Sequence, residues 1–190
     1  MGTNEAEAFR VLAREQLGRL YSIARRLVGD EAEDAVQDCL LKAFQRHDQL
    51  KDPVAGPAWL ASILVNCCRD RLRARARRPV EVDFDEVERF SLYRTIAYED
   101  PFPYSESLHM DFMEGFSAED VRAVLLALPE LYRIPLVLVY MDGFLAREVA
   151  DILRVPLGTV LARLHRGRKL FERQLWDYAQ DTVLLAGGPT

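Results

Sequence analysis

Cysteine is scarce: 190 residues contain three, Cys39, Cys67 and Cys68. Three thiols cannot frame a disulfide-stapled fold. No C-x-x-C occurs, and His47, His109 and His165 stand at no metal-ligand spacing from them, so no zinc site is read. Adjacent Cys67 and Cys68 could bridge each other only under strain, and all three are expected as small apolar helix residues. Long apolar runs are missing too. No stretch reaches the roughly 18 residues of a membrane span. The start "MGTNEAEAFRVL" lacks the basic segment and apolar core of a secretory signal. It superficially resembles a myristoylation start, but Ala stands where Ser or Thr is wanted. Cytoplasm is therefore the expected compartment, with no membrane partner. G-x-S-x-G, P-loop, G-x-G-x-x-G and H-E-x-x-H are likewise lacking, so no enzyme, no cofactor and no metal are expected.

What is present is helical periodicity and unevenly distributed charge. Apolar residues make up 49% and charged residues 29%, enough for real cores. The net charge of −5 conceals a middle, residues 79–117, with ten acidic and two basic residues, flanked by segments that together sum to +3. Distribution, not the total, is the guide to partners.

Phe9, Leu12, Leu20, Ala24 and Leu27 recur at helical spacing, with Gly29 as a stop. Asp30 is expected to cap a second helix, Glu33 closing the capping box. Its apolar stripe is Ala32, Val36, Cys39 and Ala43, widened by Leu40 and Phe44; Asp34, Gln37, Asp38 and Lys42 occupy the other face. "QLKDPVAGP" (49–57) reads as a loop. A third helix starts near Pro57 with Leu60, Ile63, Leu64, Cys67 and Leu72 inward. It ends in "RDRLRARARR" (69–78), where Arg69, Arg71, Arg73, Arg75, Arg77 and Arg78 exceed what the helix dipole needs and point to a polyanion.

Ser117 and Asp120 open a fourth helix with Val121, Val124, Leu125 and Leu128 inward. "LPELYRIPLVLVYMDG" follows and closes at Gly143. "AREVADIL" (146–153), the break "RVP" and "LGTVLARLHRGRKLF" then form the helix-turn-helix pattern. On the last helix Val160, Leu164, Gly167 and Phe171 make an inward face. Thr159, Ala162, Arg163 and Arg166 fall opposite, small residues for close approach and arginines for phosphates or guanine edges.

With both ends read this way, the chain resembles bacterial sigma factors of the extracytoplasmic-function (ECF) class of the sigma-70 family (group IV). "DEAEDAVQDCLLKAF" (30–44) resembles regions 2.1–2.2, "AWLASILVNCCRDRLRARARRP" (58–79) regions 2.3–2.4, and residues 128–170 region 4. The resemblance implies an all-α fold of two small helical domains, a region 2 bundle (1–78) and a region 4 helix-turn-helix (118–178). A long acidic, aromatic-rich linker (79–117) joins them, and residues 179–190 are expected as a disordered tail.

It also implies roles. Asp34, Gln37 and Asp38 would dock on the β′ clamp helices of core RNA polymerase, and region 4 on the β flap. Lys51, Asp52 and Trp59, in and beside the 49–57 loop, would serve −10 recognition, where extracting a base costs a few kcal/mol. Asn66, Asp70, Arg69, Arg73 and Arg77 would face the upstream −10 duplex. At −35, Ala162, His165 and Arg166 would face the groove, Thr159 and Arg163 phosphates, with Lys169 beside them. Promoter DNA and an anti-sigma factor are the further partners; "RLHRGR" and the overall layout resemble the branch paired with zinc-binding, redox-sensing anti-sigma factors, in which any zinc would belong to the partner. The free factor is expected to be a monomer.

Three departures stand out. Leu161 and Ala162 replace a basic residue and a Ser. Pro135 lies where the family has an unbroken helix and should break or kink it. Leu145 replaces the Ser or Thr that would cap the next helix. None removes an inward apolar position. The linker holds eight of the sixteen Phe and Tyr residues, unlike a flexible Gly/Ser linker. Threading through polymerase channels as a nucleic-acid mimic, folding back onto the basic surfaces of its own domains, and plain disorder are the readings it allows. The rival for the whole chain is a stand-alone helix-turn-helix regulator, which leaves "EDAVQD" and the loop before "AWL" unexplained. A degenerate sequestration module is a third.

Overall fold

The computed structural model describes residues 3–50, 52–75, 89 and 115–182. Helix α1 spans Thr3–Val28, α2 Ala32–Phe44 and α3 Gly56–Arg75. Past the connector come α4, Ala118–Ala127, and α5, Glu130–Leu136, which runs into a π-turn at Val137–Met141; α6, Ala146–Leu153, and α7, Leu157–Asp181, complete the chain. Short 3₁₀ turns occupy Gly29–Glu31, His47–Gln49 and Pro53–Ala55. No strand occurs among the described residues.

The first three helices bury the stripes their spacing predicts. Leu20, Ala24 and Leu27 of α1 meet Ala32, Val36, Cys39 and Ala43 of α2 and Leu60, Leu64 and Cys67 of α3. Leu12, Leu40 and Leu72 lie at the edge of this core, and Phe44 stays partly exposed, stacked on His47 at 5.6 Å. Gly29 ends α1 at φ +65°, a left-handed conformation that favours glycine. The expected capping box at Asp30 does not form. A 3₁₀ turn intervenes, α2 starts at Ala32 after Glu31 without a side-chain cap, and Asp30 pairs with Arg25 at 3.2 Å instead. All three cysteines are buried thiols. Burial is the main reason that Cys39 and Cys68 are pushed up to about 12, which keeps them protonated and unreactive.

In the C-terminal half, Ser117 caps α4 in a full capping box: its hydroxyl accepts the Asp120 N–H at 3.2 Å, and Asp120 accepts the Ser117 N–H at 2.8 Å. Pro135 does not break α5. It lies buried within the helix, and the backbone widens just after it, where the Asp142 N–H reaches the Val137 carbonyl at 3.1 Å. Local π adjustments of this kind absorb irregularities in a helix. Leu145 offers α6 no side-chain acceptor, as expected; Glu148 still accepts the Leu145 N–H at 2.7 Å, supplying half a box. Arg154, at φ 54°, makes the left-handed turn into α7.

Glycine allows a close helix approach at Gly167. A Cβ there would lie 3.1 Å from both Tyr132 Cβ and Leu136 Cδ1, so only glycine lets α7 seat this closely on α5. The helix continues through Asp181, with Ala179 buried, three residues into the stretch expected as a tail. Tyr178 donates to Asp120 at 2.6 Å, pinning the end of α7 to the start of α4. Residues 183–190 lie outside the described ones.

The two halves pack directly against each other, and their buried residues form one contiguous cluster from Phe9 to Leu170. Arg19 of α1 donates to the Asp142 carbonyl at 2.7 Å and lies over the Phe144 ring at 4.1 Å. Arg26 approaches the Asp142 carboxylate at 3.8 Å. Leu126 of α4 fits where a side chain at Gly29 would be, 3.3 Å from the position of its Cβ.

Candidate nucleic-acid interface

The outer face of α7 carries the best-formed part of the site. Thr159, Ala162, Arg163 and Arg166, at i, i+3, i+4 and i+7, line one open cleft of about 340 Å³ together with Gly158, Leu131 and Tyr132. The inward stripe positions them: Val160, Leu164 and Gly167 are buried and Phe171 is half-buried. His165 is exposed and Lys169 half-buried on the adjoining stripe. Leu161, at 52% exposure, places an apolar side chain on this outer face. Arg168 is also exposed, but it pairs with Glu172 at 3.7 Å.

The arginine run on α3 is different. Arg71 forms ion pairs with Asp38 at 2.8 Å and Glu31 at 3.7 Å, and Arg75 pairs with Glu31. Burial alone would lower the Arg71 guanidinium, but the hydrogen bond and charge of Asp38 outweigh it and raise its pKa. These two arginines clamp α3 to α2. Arg69 turns toward the C-terminal half, where its Nε is buried with no hydrogen-bond partner among the described residues. Burial lowers its pKa, Glu130 opposes that, and the charges of Arg163 and Arg73 add to it. Arg73 is exposed; Arg77 and Arg78 lie outside the described residues.

The remaining residues are scattered around these. Asn66 and Asp70 are exposed on α3, Asp70 with Lys42 at 3.8 Å. Trp59 is half-buried. Asp52 is exposed and accepts the Val54 N–H at 2.9 Å, an Asx-type turn that holds the loop. Lys51 lies outside the described residues. Asp34 and Gln37 are exposed on α2, while Asp38 is half-buried against Arg71.

Packing of the halves brings α3 against α6 and α5, with Arg69 within electrostatic reach of Arg163. Residues expected at −10 and at −35 thus stand side by side. Those elements lie about 25 base pairs apart, roughly 85 Å of duplex at 3.4 Å per pair. The packed arrangement is incompatible with both expected contacts at once. Sequence reasoning missed the contacts that hold it, Arg19, Arg26 and Asp142; "MDG" after an apolar run reads only as a turn. It also missed an apolar groove of about 340 Å³ between α4, the π-turn and α7, lined by Val121, Leu125, Leu136, Tyr140, Met141 and Phe171. Tyr140 is 62% exposed there, a signal visible only once the helix faces are known.

Comparisons with known proteins match one family region to each half. Residues 12–78 match the family model for Sigma-70 region 2, and residues 118–171 the one for Sigma-70, region 4. The ECF RNA polymerase sigma factor SigW of Bacillus subtilis is 27% identical over 178 residues, 91% of each chain. SigE of Mycolicibacterium smegmatis, also an ECF RNA polymerase sigma factor, is 32% identical over 174 residues, 90% of this chain and 63% of that one. The sigma-E factor of Escherichia coli is 27% identical over 176 residues, covering 90% and 88%. Among solved structures, the sigma factor RpoE of Bartonella quintana, in complex with the anti-sigma factor NepR, superposes with a TM-score of 0.61 at 24% identity, over 86% of this chain and 95% of that one. At that identity the likeness speaks for the fold.

Proposed function

The chain belongs to the ECF class of the sigma-70 family and directs promoter-specific transcription initiation by RNA polymerase, and from that premise we propose how its residues divide the work. Its partners are core RNA polymerase and promoter DNA, and an anti-sigma factor is the regulator to look for, as in the RpoE–NepR complex. The factor does no chemistry itself; free of partners it is a monomer, and it works in the cytoplasm, where polymerase and chromosome are. Bond formation stays with the polymerase.

The observation that carries the residue assignment is the single cleft on α7 shared by Thr159, Ala162, Arg163 and Arg166. Arg166 reads a base edge, Ala162 and His165 allow close approach to the major groove, and Thr159, Arg163 and Lys169 hold phosphates. Bidentate arginine contacts are worth about 1–3 kcal/mol each, so a few suffice for promoter choice. Asp52, Trp59 and Lys51 receive the −10 strand, with Asn66, Asp70 and Arg73 on the neighbouring duplex. Arg69 joins them only after the halves part. Asp34 and Gln37 dock on the polymerase clamp, with Asp38 oriented by Arg71. The apolar groove around Tyr140 and Met141 takes the polymerase flap.

Because the packed halves cannot span a promoter, binding to polymerase and DNA separates them. The contacts to be broken include the Arg19–Asp142 and Arg26–Asp142 pairs, the Arg19–Phe144 stack, the Leu126–Gly29 fit and the apolar packing of α3 against α5 and α6. Run-off transcription with core polymerase over a promoter library tests the reading. Transcripts from a defined −10/−35 pair are expected. If core polymerase neither binds the chain nor gains promoter selectivity from it, a stand-alone helix-turn-helix regulator is the better description.

A further inference from the structure

A second basic feature is a pocket distinct from the α7 cleft. At the junction of the halves is a cavity of about 290 Å³, several times the roughly 30 Å³ share of one water. Three arginines line it: Arg75 from the end of α3, and Arg122 and Arg133 from α4 and α5. Leu72 and Leu126 supply apolar wall, and Asp30 is the one carboxylate on it among the described residues. Asp30 is largely exposed and engaged with Arg25. Arg75 and Arg122 each hold one carboxylate at the rim, Glu31 and Glu119.

Arg133 is the telling residue. It is 5% exposed. One Nη donates to the Leu126 carbonyl at 2.9 Å, while its Nε is buried with no hydrogen-bond partner among the described residues. Arg122 Nε is in the same condition. Burial lowers the Arg133 pKa, Glu130 and Cys68 oppose the shift, and the Arg75 charge adds to it. A buried guanidinium with open donors is costly unless an anion or acceptor meets it, and guanidinium forks match oxyanions with paired hydrogen bonds.

We propose that this junction cavity is an oxyanion site, for a phosphate or carboxylate group, whose three arginines come from both halves and are assembled only when the halves are packed. A ligand that binds only the packed form stabilises it by RT ln(1 + [L]/Kd). Occupancy therefore opposes promoter binding, a consequence that rests on the function proposed above; the binding itself does not. Two sources share the chemistry. One is a free phosphate-bearing ligand. The other is the chain's own acidic stretch, in which Glu81, Asp83, Asp85, Glu86 and Glu88 begin six residues beyond Arg75, a span of about 20 Å at full extension.

The test is calorimetric titration of the full chain with inorganic phosphate, run beside a donor–acceptor dye pair on Gln45→Cys and Asp151→Cys that reports the separation of the halves. Saturable one-to-one binding with a larger packed fraction is expected. Arg133→Gln risks the fold itself, so Arg75→Gln and Arg122→Gln carry the assignment, each weakening binding at least tenfold. Binding in the parent chain identifies a free anion as ligand. Binding that emerges only after Glu81, Asp83, Asp85, Glu86 and Glu88 are changed to their amides identifies the chain's own carboxylates. The proposal is overturned if neither protein binds saturably, if both arginine variants bind as well as their parent, or if binding leaves the separation unchanged. None of these readouts involves polymerase, so they stand or fall apart from the sigma-factor reading.

Discussion

The arginine run at the end of α3 and the basic face of α7 look alike in composition and differ in use. On α3, Arg71 and Arg75 are tied to Asp38 and Glu31, and Arg69 is turned into the junction, leaving Arg73, among the described arginines of the run, exposed and outside those pairs. On α7, Thr159, Ala162, Arg163 and Arg166 gather on one cleft with the apolar stripe directly behind them. Counting cations therefore overstates the α3 run as a candidate DNA-reading surface, since much of its charge secures one helix to another, while the candidate residues of α7 share one cleft.

The largest effect expected on this contrast comes from Gly167→Val. Overpacking α7 against Tyr132 and Leu136 costs about 3 kcal/mol, and −35 binding is lost with it. Denaturant melts and a −35 duplex titration check both. Next is Arg166→Ala, expected to weaken the cognate −35 site by about 2 kcal/mol and to relax its specificity. An equal loss on random DNA would make Arg166 a phosphate contact and α7 more like α3.

Much of this contrast could be read before the fold was known, but not all. Helical periodicity picked out Leu20, Leu27, Leu60, Leu64, Val160 and Leu164 as inward because burial against a neighbouring helix enforces that spacing. The Ser117–Asp120 capping box was equally legible, since its two partners are three residues apart. The Asp30 cap was misread because a 3₁₀ turn moved the helix start by one residue, and nothing local announces that. The partners of Arg71, Arg69 and Asp142 were illegible because they come from other helices, at separations that no periodicity encodes.

Smaller changes sharpen the comparison. Gly29→Ala forces a side chain into a left-handed conformation and against Leu126, and is expected to cost about 1 kcal/mol; it should loosen the junction without touching either DNA-reading surface. Arg71→Ala and Arg73→Ala should separate cleanly. The first is expected to lose about 0.5–1 kcal/mol of stability, as a partly screened ion pair does. The second leaves the melt unchanged and lowers the salt slope of DNA binding by about 1. If both moved only DNA affinity, the α3 ion pairs would have no structural weight.

Asp142→Asn is expected to do least. Burial raises the Asp142 pKa, against the opposing charges of Arg26 and Arg19. A carboxyl with a raised folded-state pKa contributes stability that is fully present below its unfolded pKa and lost as pH rises through the folded one. Acidification through that window therefore favours the packed form, and Asn, which resembles the protonated acid, keeps it at neutral pH. The Arg19 bond to the backbone carbonyl survives the change. A dye-pair titration from neutral to acid pH, with Asp142→Asn alongside, reads both.

The central claim is that the halves packed in the free chain must separate on a promoter. Dyes on Gln45→Cys and Asp151→Cys test it directly, since Cys39, Cys67 and Cys68 are buried and take no label. The account predicts a short separation in the free protein that lengthens by tens of ångströms, on the roughly 85 Å scale of the promoter, once core polymerase and a −10/−35 duplex are added. An unchanged separation in the transcribing complex would contradict it.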